Sequence, residues 1–496
     1  MLAALDADDA GKGTFTVGLV RVKAGDPAQR RGSLFFNFGG PGANPTDMLP
    51  PTAYLWSTRS ASHPLDGDKR RLADRFDLVA VIPRGLRGGS RYECKPTPAS
   101  DEPHDPSIYL ADWNWAGFVQ DARAYARACD DPLKPHLGTL QHVRDMEQAR
   151  LALGEPAMNF VGISYGTWVG AFYAAMYPHH AGRIVLDSVM NFSGTFEQQV
   201  DDAPGERQAL FARNALRPAL ADPFTYNIGS DARTALNRFR AMPHEAREAW
   251  SSVIDTPSHL VAALTLADWM RAEGAPAKER LIARAKRYVF SPDPAVDHQI
   301  RQAAVGLASA LGRRTDPTLN GLVDISVYHA VICADTPWRK DPKELRALAN
   351  RIASRYPAAN GEAVTTGLVC MNWATSPRWR PPLTALAVAP PMLMVQAEFD
   401  PATSYNGAMQ AFSRSPGARM VVAQGARVHG LFGASATPCV ERAVGRFLLD
   451  GELPALPWSA CDYVPSTRSR ESREAGDGPS EWDMRDELAK RLQNIR

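Results

Sequence analysis

The pentapeptide Gly162-Ile163-Ser164-Tyr165-Gly166 sets a serine between two glycines, each two positions away. A serine hydroxyl becomes a usable nucleophile when a sharp strand-to-helix turn lifts it above the end of a sheet. Small residues on either side let strand and helix pass closely. The surroundings fit, because an apolar run at 158–163 precedes the serine and a helical pattern at 166–177 follows it. A helix starting there brings positive potential to the turn, and the Tyr165 N–H can donate to an oxygen that turns negative. A second donor for that oxyanion is expected from Gly39-Gly40-Pro41-Gly42, a loop after another strand-like run, where the backbone can approach a substrate carbonyl. Gly40 is assigned as this donor, with Gly39 as the alternative.

A nucleophilic serine needs a general base, and the base needs an acid to orient it. Behind a serine turn of this type the chain order is acid, then histidine. Of eleven histidines, His429 stands in the glycine-flanked loop Gly425-Ala426-Arg427-Val428-His429-Gly430, just after the last strand-like run, and is the expected base. His142, His179 and His180 fall in or beside helical stretches and read as surface or packing residues. Two acids compete. Asp400 follows the run at 391–397 and directly precedes the unit that leads to His429, so it is preferred. Asp187 ends an earlier run and is read as ordering the junction to the segment that follows. The orienting carboxylate stays ionised and stabilises the imidazolium that forms. No cluster of ligating residues suggests a metal, and the chemistry requires no cofactor.

Stepping outward, the elements that must hold these residues alternate. Strand-like runs lie at 14–22, 33–38, 76–82, 158–163, 183–189, 391–397 and 418–424, separated by helical patterns that include 121–153 and a final one at 438–449. Short buried strands alternating with helices predict an α/β protein with a mostly parallel, doubly wound sheet. Between about 190 and 385 strand-like runs become scarce, and Ala-, Arg- and Leu-rich helical stretches such as 210–220, 231–242 and 342–354 dominate. The expected organisation is therefore a first core part at 1–189, a helical insert at 190–385, a second core part at 386–464 and a charged tail at 465–496. In that tail 481–496 reads as a short amphipathic helix.

Composition narrows the function classes. The 496 residues are 45% hydrophobic and 22% charged, which suits a folded chain. Lys plus Arg is 56 against 54 Asp plus Glu, so the balance of +2 leaves no footprint for nucleic acid. No apolar run is long enough to predict a transmembrane helix. The six cysteines (Cys94, Cys129, Cys333, Cys370, Cys439 and Cys461) form no C-x-x-C pair, and fit either three disulfides in an oxidising compartment or six buried thiols. Residues 1–13 lack the basic and apolar regions of a signal peptide. If the cysteines pair, the start is expected to be truncated or misassigned upstream.

Taken together, these pieces resemble the α/β-hydrolase superfamily. Within it the chain is similar to the secreted tripeptidyl aminopeptidases of actinobacterial type, relatives of prolyl iminopeptidase. The matching pieces span most of the chain. They include Asn37 to Gly42, Pro83-Arg84-Gly85 with Ser90 and Cys94, Arg144-Asp145, Leu153-Gly154, and Gly162 to Thr167. Further matches are Arg183 to Asp187, Cys333-Ala334-Asp335, Asp400-Pro401 with Thr403, and His429-Gly430. The ending with Cys439-Val440, Gly451-Glu452-Leu453-Pro454 and Cys461 is the most family-specific. The resemblance implies an α/β-hydrolase fold with an inserted helical cap, and disulfides Cys94–Cys129, Cys333–Cys370 and Cys439–Cys461. It also implies a secreted or periplasmic location. The chain departs from the family at Ile82, where Asp usually precedes Pro-Arg-Gly, and at Ser404, where Pro usually follows the threonine. The stretch before Thr14 is shorter than in the family.

An exopeptidase acting on free N-termini must hold an ammonium group, which calls for carboxylates at a fixed distance from Ser164. Glu197, Asp201 and Asp202, early in the insert, are the candidates. Arg84 reads as a structural ion-pair partner. The leading expectation is a serine aminopeptidase that releases short peptides through an acyl-enzyme. The alternative is an esterase or lipase-like hydrolase on the same three residues, which a deep apolar groove without paired carboxylates would favour. A non-catalytic binding protein is disfavoured, because Ser164, Asp400 and His429 are all present.

Overall fold

Runs such as 33–38 and 158–163 carry no polar face at period two, so both faces of each strand must be covered. The computed structural model places them mid-sheet. It describes residues 1–6, 8–64, 66–96, 104–274, 277–312, 323–374, 379–432 and 437–464. The expected tail, including 481–496, lies outside the described residues. Ten strands are seen among the described residues: β1 (Leu2–Asp6), β2 (Asp9–Thr16), β3 (Leu19–Val22), β4 (Ser33–Asn37), β5 (Asp77–Val81), β6 (Met158–Ile163), β7 (Ala181–Asp187), β8 (Leu393–Ala397), β9 (Arg419–Gln424) and β10 (Trp458–Asp462). Eight of them form one sheet in the order β10-β9-β8-β7-β6-β4-β5-β3, and β1 with β2 makes a separate hairpin. In the large sheet only β3 runs antiparallel.

Parallel strands bring all their C-terminal ends to one edge, where ligand sites of doubly wound sheets form. The register is tight there. Gly162 pairs with Asn37 on one side and Leu186 on the other, and Ile163 pairs with Asp187. The loops after β4, β6, β7, β8 and β9 thus emerge side by side, carrying Gly40, Ser164, Ser188, Asp400 and His429.

Strand side chains alternate between the two faces. Phe35, Phe160 and Leu186 pack with Trp168 and Tyr173 of the helix Tyr165–Met176. Leu34, Val161, Val185 and Val395 pack on the other face with Leu49, Leu72 and Phe447 from the helices Pro45–Ser57, Gly67–Arg75 and Pro438–Asp450. Between β7 and β8 the described residues form helices and turns, apart from a bridge between Val323 and Ala43. These helices hold a core of their own around Phe211, Phe239, Trp250 and Leu260, in which the Trp250 indole N–H donates to the Leu307 carbonyl at 2.8 Å.

Several expectations are corrected. The run 14–22 is two strands in two sheets rather than one, because the strand pairing breaks at Val17 and Gly18. A Cβ on Gly18 would lie 2.2 Å from the Gly88 carbonyl oxygen. The helical pattern 121–153 is two helices, Asp112–Ala128 and Thr139–Ala152, parted by a turn that begins at Cys129. Leu2–Asp6 and Asp9–Thr16 pair as the β1–β2 hairpin, whose Ala4 and Leu5 carbonyls accept from the Arg84 guanidinium at 2.9 and 2.6 Å. Strand β10 had no clear signal in the sequence. It adds to β9 in parallel, and its side chains are half-exposed or exposed, so no apolar run marks it.

The six cysteines form Cys94–Cys129, Cys333–Cys370 and Cys439–Cys461, with Cα–Cα separations of 4.2, 4.7 and 6.5 Å. No helix among the described residues is long and apolar enough to cross a membrane.

Candidate active site

Ser164 ends β6 with φ 58° and ψ −123°, a conformation few non-glycine residues adopt. The neighbouring glycines make this turn possible. A Cβ on Gly162 would lie 2.2 Å from the Gly166 carbonyl oxygen, and one on Gly166 would lie 2.3 Å from the Asn37 carbonyl oxygen. The turn is pinned from three directions. The Ser164 N–H donates to the Asp187 carbonyl at 3.0 Å, and the Ser164 carbonyl accepts the Thr167 N–H at 2.8 Å and its hydroxyl at 2.6 Å.

The glycine loop after β4 lies directly against this turn. A Cβ on Gly39 would sit 2.6 Å from the Ile163 carbonyl oxygen and 2.9 Å from the Ser164 Cβ. Of the two expected donors, Gly39 already donates its N–H to Asn37 Oδ1 at 3.0 Å. Gly40 lines the same cavity as Ser164. Asn37 is held in turn by donation from its Nδ2 to His142 Nε2 at 3.1 Å. That donation requires Nε2 to be unprotonated. Burial, with the Arg84 charge adding to it, pushes the His142 pKa down to about 3. His142 is thus a packing residue with an orienting task, which its position in a helix did not reveal. Arg84 is an ion-pair partner, reaching Asp145 at 2.7 and 2.8 Å.

The structure brings Asp400 and His429 together. The carboxylate oxygens lie 2.9 and 3.0 Å from His429 Nδ1, and neither side chain is exposed. Burial alone would raise the Asp400 carboxyl. The adjacent imidazole and the N–H groups of Thr403 and Ala402 outweigh it and hold the group below the usual carboxylate range. Among the described residues, His429 Nε2 is buried and carries no hydrogen bond.

Asp187, the competing acid, makes no hydrogen bond to His429 among the described residues. Its carboxylate accepts the N–H groups of Leu431 at 2.9 Å and Phe432 at 2.7 Å, so it orders the histidine loop more than the junction to the insert. Burial pushes its pKa up to about 7 against the pull of those N–H groups and of His429.

Ser164 and Gly40 line a cavity of about 210 Å³. Pro401, Ala402 and Thr403 close one side. The helix Phe196–Phe211 contributes a stripe of Phe196, Gln199, Val200, Ala203, Pro204 and Arg207 to the wall. Tyr328, Ile332, Glu362 and Ala363 complete it from two helices, Ile325–Asp335 and Glu362–Met371, which Cys333–Cys370 joins. Glu197, Asp201 and Asp202 are not brought to this cavity. Glu197 accepts the N–H groups of Arg339 and Lys340, Asp201 pairs with the Lys340 ammonium, and Asp202 is exposed. The carboxylate and guanidinium that do line it, Glu362 and Arg207, were missed, because no local pattern distinguishes them from other helical polar residues. No cluster among the described residues could hold a metal ion.

Two family models match. One described as alpha/beta hydrolase fold covers residues 52–266, and one described as TAP-like protein covers residues 356–461. The tripeptidyl aminopeptidase of Streptomyces lividans is 26% identical over 445 residues, covering 87% of this chain and 77% of that protein. Carboxylesterase B of Mycobacterium tuberculosis is 27% identical over 466 residues, covering 91% of this chain and 83% of that protein. Serine protease Hip1 of the same species is 26% identical over 205 residues, covering 39% of this chain and 37% of that protein. With its mostly parallel sheet, its serine turn at the strand ends and these matches, the chain has the α/β-hydrolase fold and is a serine hydrolase, with a C-terminal part that matches the TAP-like model and a resemblance to tripeptidyl aminopeptidases along most of its length.

Proposed function

We propose that this chain is a serine aminopeptidase that releases short peptides, tripeptides foremost, from free N-termini. Ser164 Oγ attacks the scissile carbonyl while His429 Nε2 takes its proton, and Asp400 keeps the imidazole in the tautomer that leaves Nε2 free to accept. The N–H groups of Gly40 and Tyr165 stabilise the tetrahedral oxyanion. His429 returns the proton to the leaving amine, and the acyl-enzyme is hydrolysed by water activated in the same way. The inserted helices act as a cap over the acyl half of the substrate.

The observation that carries this reading is that Ser164 and Glu362 both line one largely apolar cavity. A carboxylate at that place suits a substrate ammonium, and the size of the cavity suits a short chain. The names of the Streptomyces relatives agree with it. The paired cysteines fit an oxidising compartment, and we place the protein outside the cytoplasm, secreted or periplasmic. The second reading, an ester hydrolase, is favoured by Phe196, Val200, Ala203 and Pro204 on the helix Phe196–Phe211 and by the carboxylesterase relative.

One matched set of substrates separates the two. Initial rates are measured on a tripeptidyl anilide, its N-acetylated twin and a short-chain aryl ester. The aminopeptidase reading expects the free-amine anilide to be cleaved far faster than its twin. Turnover of the ester with neither anilide cleaved would sink it.

A further inference from the structure

Three consecutive N–H groups follow His429, and all three point into one dipeptide at the end of β7. The Gly430 N–H donates to Ser188 Oγ at 2.8 Å, and those of Leu431 and Phe432 donate to the Asp187 carboxylate. The same dipeptide reaches the serine turn, and the residue after it reaches the segment of Asp400. Through its carbonyl Asp187 accepts the Ser164 N–H, and its register against Ile163 fixes that contact. Next along the chain, the Val189 N–H donates to Gln396 Oε1 at 2.8 Å. Gln396 Nε2 donates to the carbonyl of Thr403, whose N–H binds Asp400. Ser188 itself adopts φ 55°, and its N–H is anchored on the Val395 carbonyl at 3.0 Å.

This arrangement is costly for a part of the core that only needs filling. Asp187 and Ser188 are both fully buried. A buried carboxylate beside a second one, Asp400, is a burden that an apolar residue would avoid. Its geometry is matched instead to two adjacent N–H donors on the far loop.

We propose that Asp187, with Ser188, is a positioning residue for the general base. It fixes the backbone just after His429 and the serine turn against a single strand end, so that the imidazole and the hydroxyl keep one relative geometry. The inference rests on the assignment of Ser164 and His429 as nucleophile and base. Asp187 touches no reacting atom and acts through the loop it holds.

The test compares wild type with Asp187→Asn, which keeps the size of the side chain but replaces one of the two accepting oxygens by a donor. kcat and KM are measured on the substrate turned over best, together with the rate of Ser164 phosphonylation by a fluorophosphonate. That reaction needs the base but not the peptide cavity. The expected result is a fall of about 100-fold in both kcat and phosphonylation rate, with KM within about two-fold of wild type. Both rates within about three-fold of wild type, or a loss seen in KM alone, would overturn the proposal. Should Asp187→Asn fail to fold by circular dichroism, Ser188→Ala removes only the Gly430 acceptor. A fall of about ten-fold in kcat at constant KM then supports the role, and an unchanged kcat rejects it. Absence of labelling in the wild type would instead remove the catalytic reading of Ser164, and this inference with it, before any variant is compared.

Discussion

The Tyr165 hydroxyl and the Thr139 hydroxyl lie 2.6 Å apart in a buried hydrogen bond. Thr139 in turn donates to the Asp335 carboxylate, through its N–H at 3.1 Å and through its hydroxyl. The residue whose N–H is assigned to the oxyanion is thus tied by its side chain to an acid on a helix of the insert. Thr139→Val keeps the shape but leaves the Tyr165 hydroxyl buried without its acceptor. The expected cost is about 1–3 kcal/mol of unfolding free energy, read from urea denaturation, with a fall in kcat larger than any change in KM.

Ser164→Ala is expected to abolish turnover and fluorophosphonate labelling while leaving the circular dichroism spectrum unchanged. Asp400→Asn should lower kcat by about 10³–10⁴-fold, because an amide can hold the imidazole in the wrong tautomer. An Asp400→Asn variant with near-normal kcat would remove the acid assignment.

The buried His142 predicts an acid-sensitive fold. Its pKa is pushed down from 6.5 to about 3, so the unfolded chain binds a proton in that window that the folded chain refuses. The stability it contributes is complete above pH 6.5 and is lost as pH falls towards 3, by up to about 5 kcal/mol. His142→Gln, which can still accept from Asn37, should flatten the dependence of the urea midpoint on pH between 6.5 and 4. Parallel curves for the two proteins would contradict this.

Glu362 lines the cavity, whereas Glu197 and Asp201 do not and instead bind the segment at Arg339 and Lys340. Glu362→Gln is expected to raise KM for a free-amine tripeptidyl anilide by about ten-fold or more, and to leave an aryl ester within about two-fold. Asp202→Asn should change neither.

The Cys333–Cys370 bond closes a loop with a sequence separation of 37 and joins two helices of the cavity wall. Replacing both cysteines by serine should cost about 3–4 kcal/mol in the chain-entropy account. KM is expected to rise more than kcat falls, because the bond braces the wall and not the serine turn. A change confined to kcat would speak against that division.

Much of this arrangement was legible beforehand, for identifiable reasons. Gly162 and Gly166 are written into the sequence because neither position has room for a Cβ, so the steric demand of the turn surfaces as a pattern. The chain order that singled out Asp400 and His429 ends in a hydrogen-bonded pair. What stayed hidden is long-range or fully polar. The contact between Asp187 and Leu431 spans 244 residues, and nothing near either one announces it. Asn37 and His142 meet across 105 residues. The stripe that lines the cavity on Phe196–Phe211 carries a proline and an arginine among its apolar residues, so its period did not stand out from the helical background. The hairpin at the start was missed because β1 and β2 pair mainly with each other and bury few side chains.

The cavity wall on Phe196–Phe211 has a consequence for how such chains diversify. The groups assigned to bond breaking sit at strand ends, whereas Phe196, Val200, Ala203 and Arg207 sit on one face of an inserted helix. Mutational drift along that face can alter which acyl groups enter while the strand-end frame stays under its own selection. Descendants of one ancestral scaffold can therefore part into peptide and ester specialists by exchanging a handful of helix-face residues, with no step at which the reaction centre is lost.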